Sequence, residues 1–231
     1  GDGLTDAEEL AHGLGGVRDA DDPDPLDADS DDDGLSDGDE QLGRGLLAAY
    51  GPTSPVRADT DGDGLPDGLE VSATVAIPGG LSFGGVAFSG TAAGAATFVL
   101  DQDPASATDP TDDDSDDDGL LDGSEDADHD GAFPGLGGDG VETDPKARDT
   151  DGDGILDGTE RGLAAPQGSG TVAAAFRRDE DPTTTTDPRK ADTDGGGLAD
   201  GAEDIDHNGR VDPGERDPND PGDDDSDEDG L

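Results

Sequence analysis

The chain has 231 residues, of which 63 are Asp or Glu and 12 are Lys or Arg, a formal net charge of -51 with His neutral. Hydrophobic residues make up 28%, aromatics 3% and Gly alone 40 positions, which excludes a single large apolar core and lies near the composition of disordered chains. Like charge excludes nucleic acid and anionic membrane surfaces as partners, and the absence of cysteine excludes disulfides, so bound cations are the expected source of stability.

The opening GDGLTDAEEL has neither the basic nor the apolar region of a signal peptide. It falls instead in register with a pattern that recurs along the chain, D-x-D-x-D-G-[L/I]-x-D-G-x-E, and contributes Asp2, Asp6 and Glu9. A short helix is expected over residues 5–12. The first complete copy, DSDDDGLSDGDE, supplies Asp29, Asp31, Asp33, the carbonyl of Leu35, Asp37 and Glu40. A helix is expected to run on over residues 37–50, with Leu42, Leu46, Leu47 and Tyr50 on one face. The second copy, DTDGDGLPDGLE, supplies Asp59, Asp61, Asp63, Leu65, Asp67 and Glu70. Residues 71–100 then carry no charge; Val71, Ala73, Val75 and Ile77 alternate before Pro78-Gly79-Gly80, which predicts a strand meander.

The third copy, DSDDDGLLDGSE, brings Asp114, Asp116, Asp118, Leu120, Asp122 and Glu125. Directly behind it DADHDG offers Asp126, Asp128 and Asp130, with Asp139 and Glu142 in register only after an insertion. The fourth copy, DTDGDGILDGTE, holds Asp149, Asp151, Asp153, Ile155, Asp157 and Glu160. A second low-charge insert, residues 161–178, predicts a strand over 171–176. The fifth copy, DTDGGGLADGAE, keeps Asp192, Asp194, Leu198, Asp200 and Glu203 but has Gly196 in place of the third Asp, so weaker binding is expected. It is followed by DIDHNGRVDPGE, with Asp204, Asp206, Asn208, Arg210, Asp212 and Glu215, and the chain ends in DSDEDGL with Asp225, Asp227 and Asp229.

Carboxylates at positions one, three, five, nine and twelve with Gly at six are the spacing of the EF-hand calcium loop. Ca²⁺ takes about 6 to 8 oxygens at about 2.3 to 2.6 Å; alternate side chains converge on one point, the seventh carbonyl turns inward and Glu at twelve closes the site. Mg²⁺ prefers a tighter octahedron and keeps its waters. Adjacent carboxylates could in principle serve glycoside hydrolysis, but metal ligation already explains their spacing, so no enzyme is expected. His129 and His207 stand at position four of their loops, which predicts solvated side chains rather than metal ligands.

The spacers Thr108-Asp109-Pro110, Thr143-Asp144-Pro145 and Thr186-Asp187-Pro188 complete the pattern. Over residues 1–70 and 101–231 the chain resembles the bacterial form of the thrombospondin type 3 repeat. The resemblance implies an irregular, calcium-stabilised repeat rod of EF-hand-like loops with short helices, here carrying small β-hairpin or strand inserts. The expected organisation is calcium loops over 1–70, an uncharged β-rich insert over 71–100, loops over 101–160, a short apolar insert over 161–178 and loops over 179–231, the array continuing beyond both ends. The implied role is an extracellular stalk or filament subunit of a prokaryotic cell surface, binding several Ca²⁺ ions. Self-association or contact with another surface protein is expected through residues 71–100, with no nucleic acid and no membrane insertion by this segment. A dockerin-like docking or adhesion module, and an acidic calcium buffer, are the alternatives.

Overall fold

The computed structural model describes residues 4, 22–82, 84–136 and 141–224. The chain forms two units, one of residues 1–112 with 128–132, the other of residues 113–127 with 133–231. Turns and bends dominate both, because Gly and Pro recur too often for long regular elements.

The first unit contains α1 (Asp37–Leu42), a 3₁₀ turn (Gly45–Ala49), α2 (Asp67–Glu70) and the strands β1 (Gly80–Leu81) and β2 (Ala87–Phe88). The second contains α3 (Asp122–Glu125), α4 (Asp157–Glu160) and α5 (Asp200–Glu203). Each of these helices begins at the ninth residue of a repeat copy. Acidic residues at its ninth and twelfth positions lie in the first turn, where the helix dipole and free N–H groups favour negative charge. The ninth N–H closes each copy onto the carbonyl of the residue before it: Asp37 to Ala28 at 3.2 Å, Asp67 to Ala58 at 2.8 Å, Asp157 to Arg148 at 3.0 Å and Asp200 to Ala191 at 3.0 Å.

Three expectations for the inserts and helices are corrected. The helix from Asp37 stops at Leu42 because Gly43 adopts a left-handed φ of 57° and caps it, so the chain re-enters a separate 3₁₀ turn. Leu47 is consequently fully buried and Tyr50 half-buried, whereas Leu42 and Leu46 are exposed. Residues 71–77 form no strand: Val71 caps α2, and the alternation instead reflects burial of Val71 and Ala73. The strands that do form pair in antiparallel register, Gly80 opposite Phe88 and Leu81 opposite Ala87. Residues 171–176 make a turn rather than a strand, with the N–H groups of Ala175 and Phe176 both on the carbonyl of Val172.

Leu35, Leu47, Val71 and Ala73 cluster in the first unit with Tyr50 packed against them. The aliphatic seventh residue of each complete copy, Leu35, Leu65, Leu120 and Ile155, is buried, a contribution of about 1.5–3 kcal/mol per loop. The remaining interior is lined by carboxylates: Asp29, Asp33, Asp37, Glu40, Asp114, Asp118, Asp122 and Glu125 are all 0% exposed.

Within each unit, consecutive copies are joined by one recurring bond. The glycine at position ten of one copy donates its N–H to the position-five carboxylate of the copy before it: Gly68 to Asp33 at 3.0 Å, Gly158 to Asp118 at 3.0 Å and Gly201 to Asp153 at 2.7 Å. A Cβ at any of these glycines would overlap the carbonyl oxygen of that same Asp, so this close approach is why position ten is Gly. Gly158→Ala is therefore expected to destabilise the calcium-loaded chain by about 1–3 kcal/mol. Thermal unfolding in saturating calcium checks this, and an unchanged midpoint would mean that the two copies do not meet there.

Candidate metal centre

Each loop is wound by alternating left-handed residues. The fourth position has positive φ at Asp32 (66°), Gly62 (91°), Asp117 (68°), Gly152 (82°) and Gly195 (78°), and the sixth at Gly34 (98°), Gly64 (111°), Gly119 (101°), Gly154 (110°) and Gly197 (115°). Asp is among the side chains that tolerate this region at moderate cost, which is why position four varies. The winding aims loop N–H groups at loop carboxylates. The sixth N–H donates to the first Asp, as from Gly34 to Asp29 at 3.1 Å, Gly119 to Asp114 at 2.9 Å and Gly154 to Asp149 at 2.9 Å. The seventh donates to the fifth Asp, from Leu35, Leu65, Leu120 and Ile155 at 2.7, 2.7, 2.7 and 2.8 Å. The second residue, Ser or Thr, donates to the ninth: the N–H groups of Ser30, Thr60, Ser115, Thr150 and Thr193 reach Asp37, Asp67, Asp122, Asp157 and Asp200 at 2.7–2.8 Å.

Position three is treated differently. Asp31 has both carboxylate oxygens buried without a hydrogen-bond donor, and one oxygen of each of Asp61, Asp116, Asp151 and Asp194 is in the same condition. So is one oxygen of Glu40, Glu125 and Glu160 at position twelve, and Asp29 Oδ1 at position one. A buried lone pair with no donor costs free energy unless a cation takes it up. The oxygens converge as well: Asp29, Asp31 and Asp33, likewise Asp59, Asp61 and Asp63, and likewise Asp114, Asp116 and Asp118, each bring one ligand atom within 4.8 Å of the others. Asp33, Glu40 and Asp67 form a further such group, spanning two consecutive copies. The donor set is all hard oxygen, with no sulfur and no imidazole, and it fits Ca²⁺.

Burial, with neighbouring carboxylates adding to it, pushes Asp31 up to about 9, Glu40 to about 11, Asp116 to about 8 and Glu160 to about 10 in the metal-free chain. Burial also raises Asp61 and Asp151 to about 7 and Glu125 well above the ordinary carboxylate range.

Two sets of supporting residues surround these carboxylates. The Thr of each spacer grips the Glu at position twelve through its hydroxyl: Thr108 on Glu70 at 3.1 Å, Thr143 on Glu125 at 3.0 Å and Thr186 on Glu160 at 2.9 Å, with Thr53 on Glu40 at 3.3 Å. Such hydroxyls fix the direction of a ligating carboxylate. The second set comes from the inserts, where sequence reasoning missed a repeat: Ser89-Gly90-Thr91 ends at Phe98 just as Ser169-Gly170-Thr171 ends at Phe176. Both fold back on the loop type with Asp at position four. Thr91 and Thr171 donate their hydroxyls to Asp29 and Asp114, the next N–H reaches Asp32 at 2.5 Å or Asp117 at 2.6 Å, and the Phe ring covers Gly34 or Gly119. The shared S-G-T signature was the available signal.

The remaining candidates divide. Asp192 accepts the Gly195 and Gly197 N–H groups and Asp200 accepts that of Thr193, as in the complete loops; Asp194 and Leu198 are half-buried and Glu203 is buried. In the loop at 204–215, Asp204 accepts the Asn208 and Gly209 N–H groups, the pattern of the first Asp at 114–125. However, Glu215 folds back on the N–H groups of Ile205 and Asp212, Arg210 pairs with Asp212 at 2.7 Å, and Asp206 is exposed. Asp126 and Glu142 are buried, Asp130 is half-buried and Asp128 exposed, with Asp126 and Glu142 in one unit and Asp128 and Asp130 in the other. Asp2, Asp6, Glu9, Asp139, Asp225, Asp227 and Asp229, and the expected helix over residues 5–12, lie outside the described residues. His207 corrects the solvated reading: it is half-buried, its Nε2 lies 3.0 Å from the Gly201 carbonyl, and its ring sits against Gly154.

With this geometry in place, the repeat family described as Bacterial TSP3 repeat matches three segments of the chain, residues 1–13, 59–73 and 149–161. Two of the matches cover loops whose position-three Asp has one buried oxygen without a donor. No curated protein and no solved structure matches the chain. The repeat implies calcium binding, and the acidic clusters fit it.

Two measurements follow. Because the raised carboxyls stay protonated in the folded chain at pH values where the unfolded chain releases its protons, the stability they contribute without calcium is fully present below about pH 4 and lost as pH rises through the values above. Circular dichroism of the chelated chain should show order at acid pH that decays toward pH 8 and returns with calcium; order that increased with pH in chelator would contradict this. Replacing Thr91 and Thr171 by Val should weaken calcium binding to two loops by roughly ten-fold or more, with Ser restoring it. Calorimetric titration reads the effect, and an unchanged isotherm would reduce the inserts to passive cover.

Proposed function

We propose that the chain is a calcium-binding structural spacer of a prokaryotic cell-surface protein, a rigidified stalk or filament subunit outside the cell, without catalytic activity. The observation that carries the reading is the recurrence, loop after loop, of buried carboxylate oxygens without donors at positions three and twelve. An isolated ligand site would need such a set once. A series of them, with consecutive copies joined from Gly68 to Asp33, from Gly158 to Asp118 and from Gly201 to Asp153, favours ions as spaced rivets along the chain. Loops of this charge in extracellular modules bind at roughly 10⁻⁴ to 10⁻³ M, which suits a compartment where calcium is always present. No helix among the described residues is long and apolar enough to cross a membrane.

The reading places self-association, or contact with another surface protein, on the uncharged segment 71–100, where Val75, Leu81, Val86 and Leu100 are more than half exposed. A chain of -51 would make such contacts where charge is absent. Small-angle scattering with and without calcium tests the spacer reading. A compact chain of this length would have a radius of gyration of about 17 Å; the calcium-loaded chain is expected well above that value and insensitive to salt, and to become disordered in chelator. A compact particle, or uniformly nanomolar sites in a calcium titration, would favour a buffer instead.

A further inference from the structure

The loop at 192–203 has Gly196 where its counterparts carry Asp33, Asp63, Asp118 and Asp153. In those four, the fifth-position carboxylate accepts the N–H of the seventh residue. Here the seventh N–H, from Leu198, donates to Asp224 Oδ2 at 3.0 Å, from 26 residues further along the chain. A Cβ on Gly196 would overlap that same Oδ2 and lie 2.7 Å from Asp224 Cγ, so the Asp224 carboxylate fills the space into which an Asp at 196 would project.

The surrounding oxygens are those of an incomplete polar site. Asp224 Oδ1, Asp194 Oδ2 and both carboxylate oxygens of Glu203 are buried without a donor, and Glu203 is 1% exposed. Glu203 lacks the threonine grip of the other loops because its spacer reads Arg216-Asp217-Pro218 where they begin with Thr, as Thr53-Ser54-Pro55 or Thr-Asp-Pro. Arg216 keeps the backbone bond that Thr53, Thr108 and Thr186 make, its N–H lying 3.4 Å from the Glu203 carbonyl oxygen, and adds a guanidinium bond to the Asp224 carbonyl at 3.0 Å. The bond between Asp217 N–H and Asp223 at 3.0 Å closes the same turn. Side chain and backbone together hold Asp224 over the gap left by Gly196.

We propose that Asp224 is a cation ligand, completing the loop at 192–203 with the carboxylate that Gly196 removes. The proposal rests on the calcium reading of the repeat and replaces the expectation of a weakened fifth site. With Asp192, Asp194, Asp224, Asp200 and Glu203 the loop regains the charge of a complete copy, and charge count is a principal control of affinity in such loops. It also ties the turn at 216–224 to the ion, so that calcium orders a segment outside the repeat pattern.

The test follows the amide signals of Gly197 and Leu198 by NMR in the full chain through a calcium titration, with Gly119 and Leu120 of the loop at 114–125 as internal reference. The expected result is a midpoint for Gly197 within about ten-fold of that for Gly119. Asp224→Ala should raise the Gly197 midpoint by about ten-fold or more and leave Gly119 unmoved, and the double variant Gly196→Asp with Asp224→Ala should restore it. An unshifted Gly197 midpoint in Asp224→Ala, or no recovery in the double variant with the remaining spectrum native, overturns the proposal alone. Gly119 and Gly197 both indifferent to calcium overturn the calcium reading with it.

Discussion

A carboxylate oxygen that is buried and has no donor is the constraint on which the rest of this structure depends. Burying one such charge is costly, and burying Asp29, Asp33 and Glu40 with both carboxylate oxygens of Asp31 among them is prohibitive unless a cation or a proton neutralises them. The carboxyls of the metal-free chain respond by holding protons far above the usual range. Calcium offers the alternative at neutral pH: one divalent ion satisfies several lone pairs together, which a hydrogen-bond donor cannot do.

Around that constraint the chain builds outward in polar layers in place of an apolar core. Loop N–H groups orient the first, fifth and ninth carboxylates, spacer threonines orient the twelfth, and the inserts clamp the first through Thr91 and Thr171. The position-five Asp has two tasks, since Asp33 Oδ1 accepts from its own loop and Asp33 Oδ2 accepts from Gly68 of the next. An ion that fixes Asp33 therefore also fixes the following copy, which gives a physical route for cooperativity between neighbouring sites. The buried aliphatic at position seven adds a small, regular apolar increment to each loop.

Much of this was legible in the sequence because ligand spacing is local. Asp29, Asp31 and Asp33 lie within five residues, and the alternating spacing brings their carboxylates together, as it does in the copies at 59 and 114. The helix ends were less legible: the apolar residues Leu42, Leu46 and Leu47 suggested one continuous face, yet the left-handed Gly43 divided it. The inserts were misjudged for another reason. Alternating Val71, Ala73, Val75 and Ile77 satisfied a strand pattern, but what organises 71–100 is long-range bonding to the loop at 29–40, visible only by comparing Ser89 to Phe98 with Ser169 to Phe176. Nor could spacing show Asp224 standing in for a missing Asp, because it returns from outside the loop.

The most direct test is a crystal structure of the chain grown in calcium, with anomalous scattering used to place the ions. Ions are expected about 2.3 to 2.6 Å from the free oxygens of Asp31, Asp61, Asp116 and Asp151 and from the glutamates at position twelve. Density showing those carboxylates without an ion at saturating calcium, satisfied by protons or by rearranged donors, would contradict the account at its foundation.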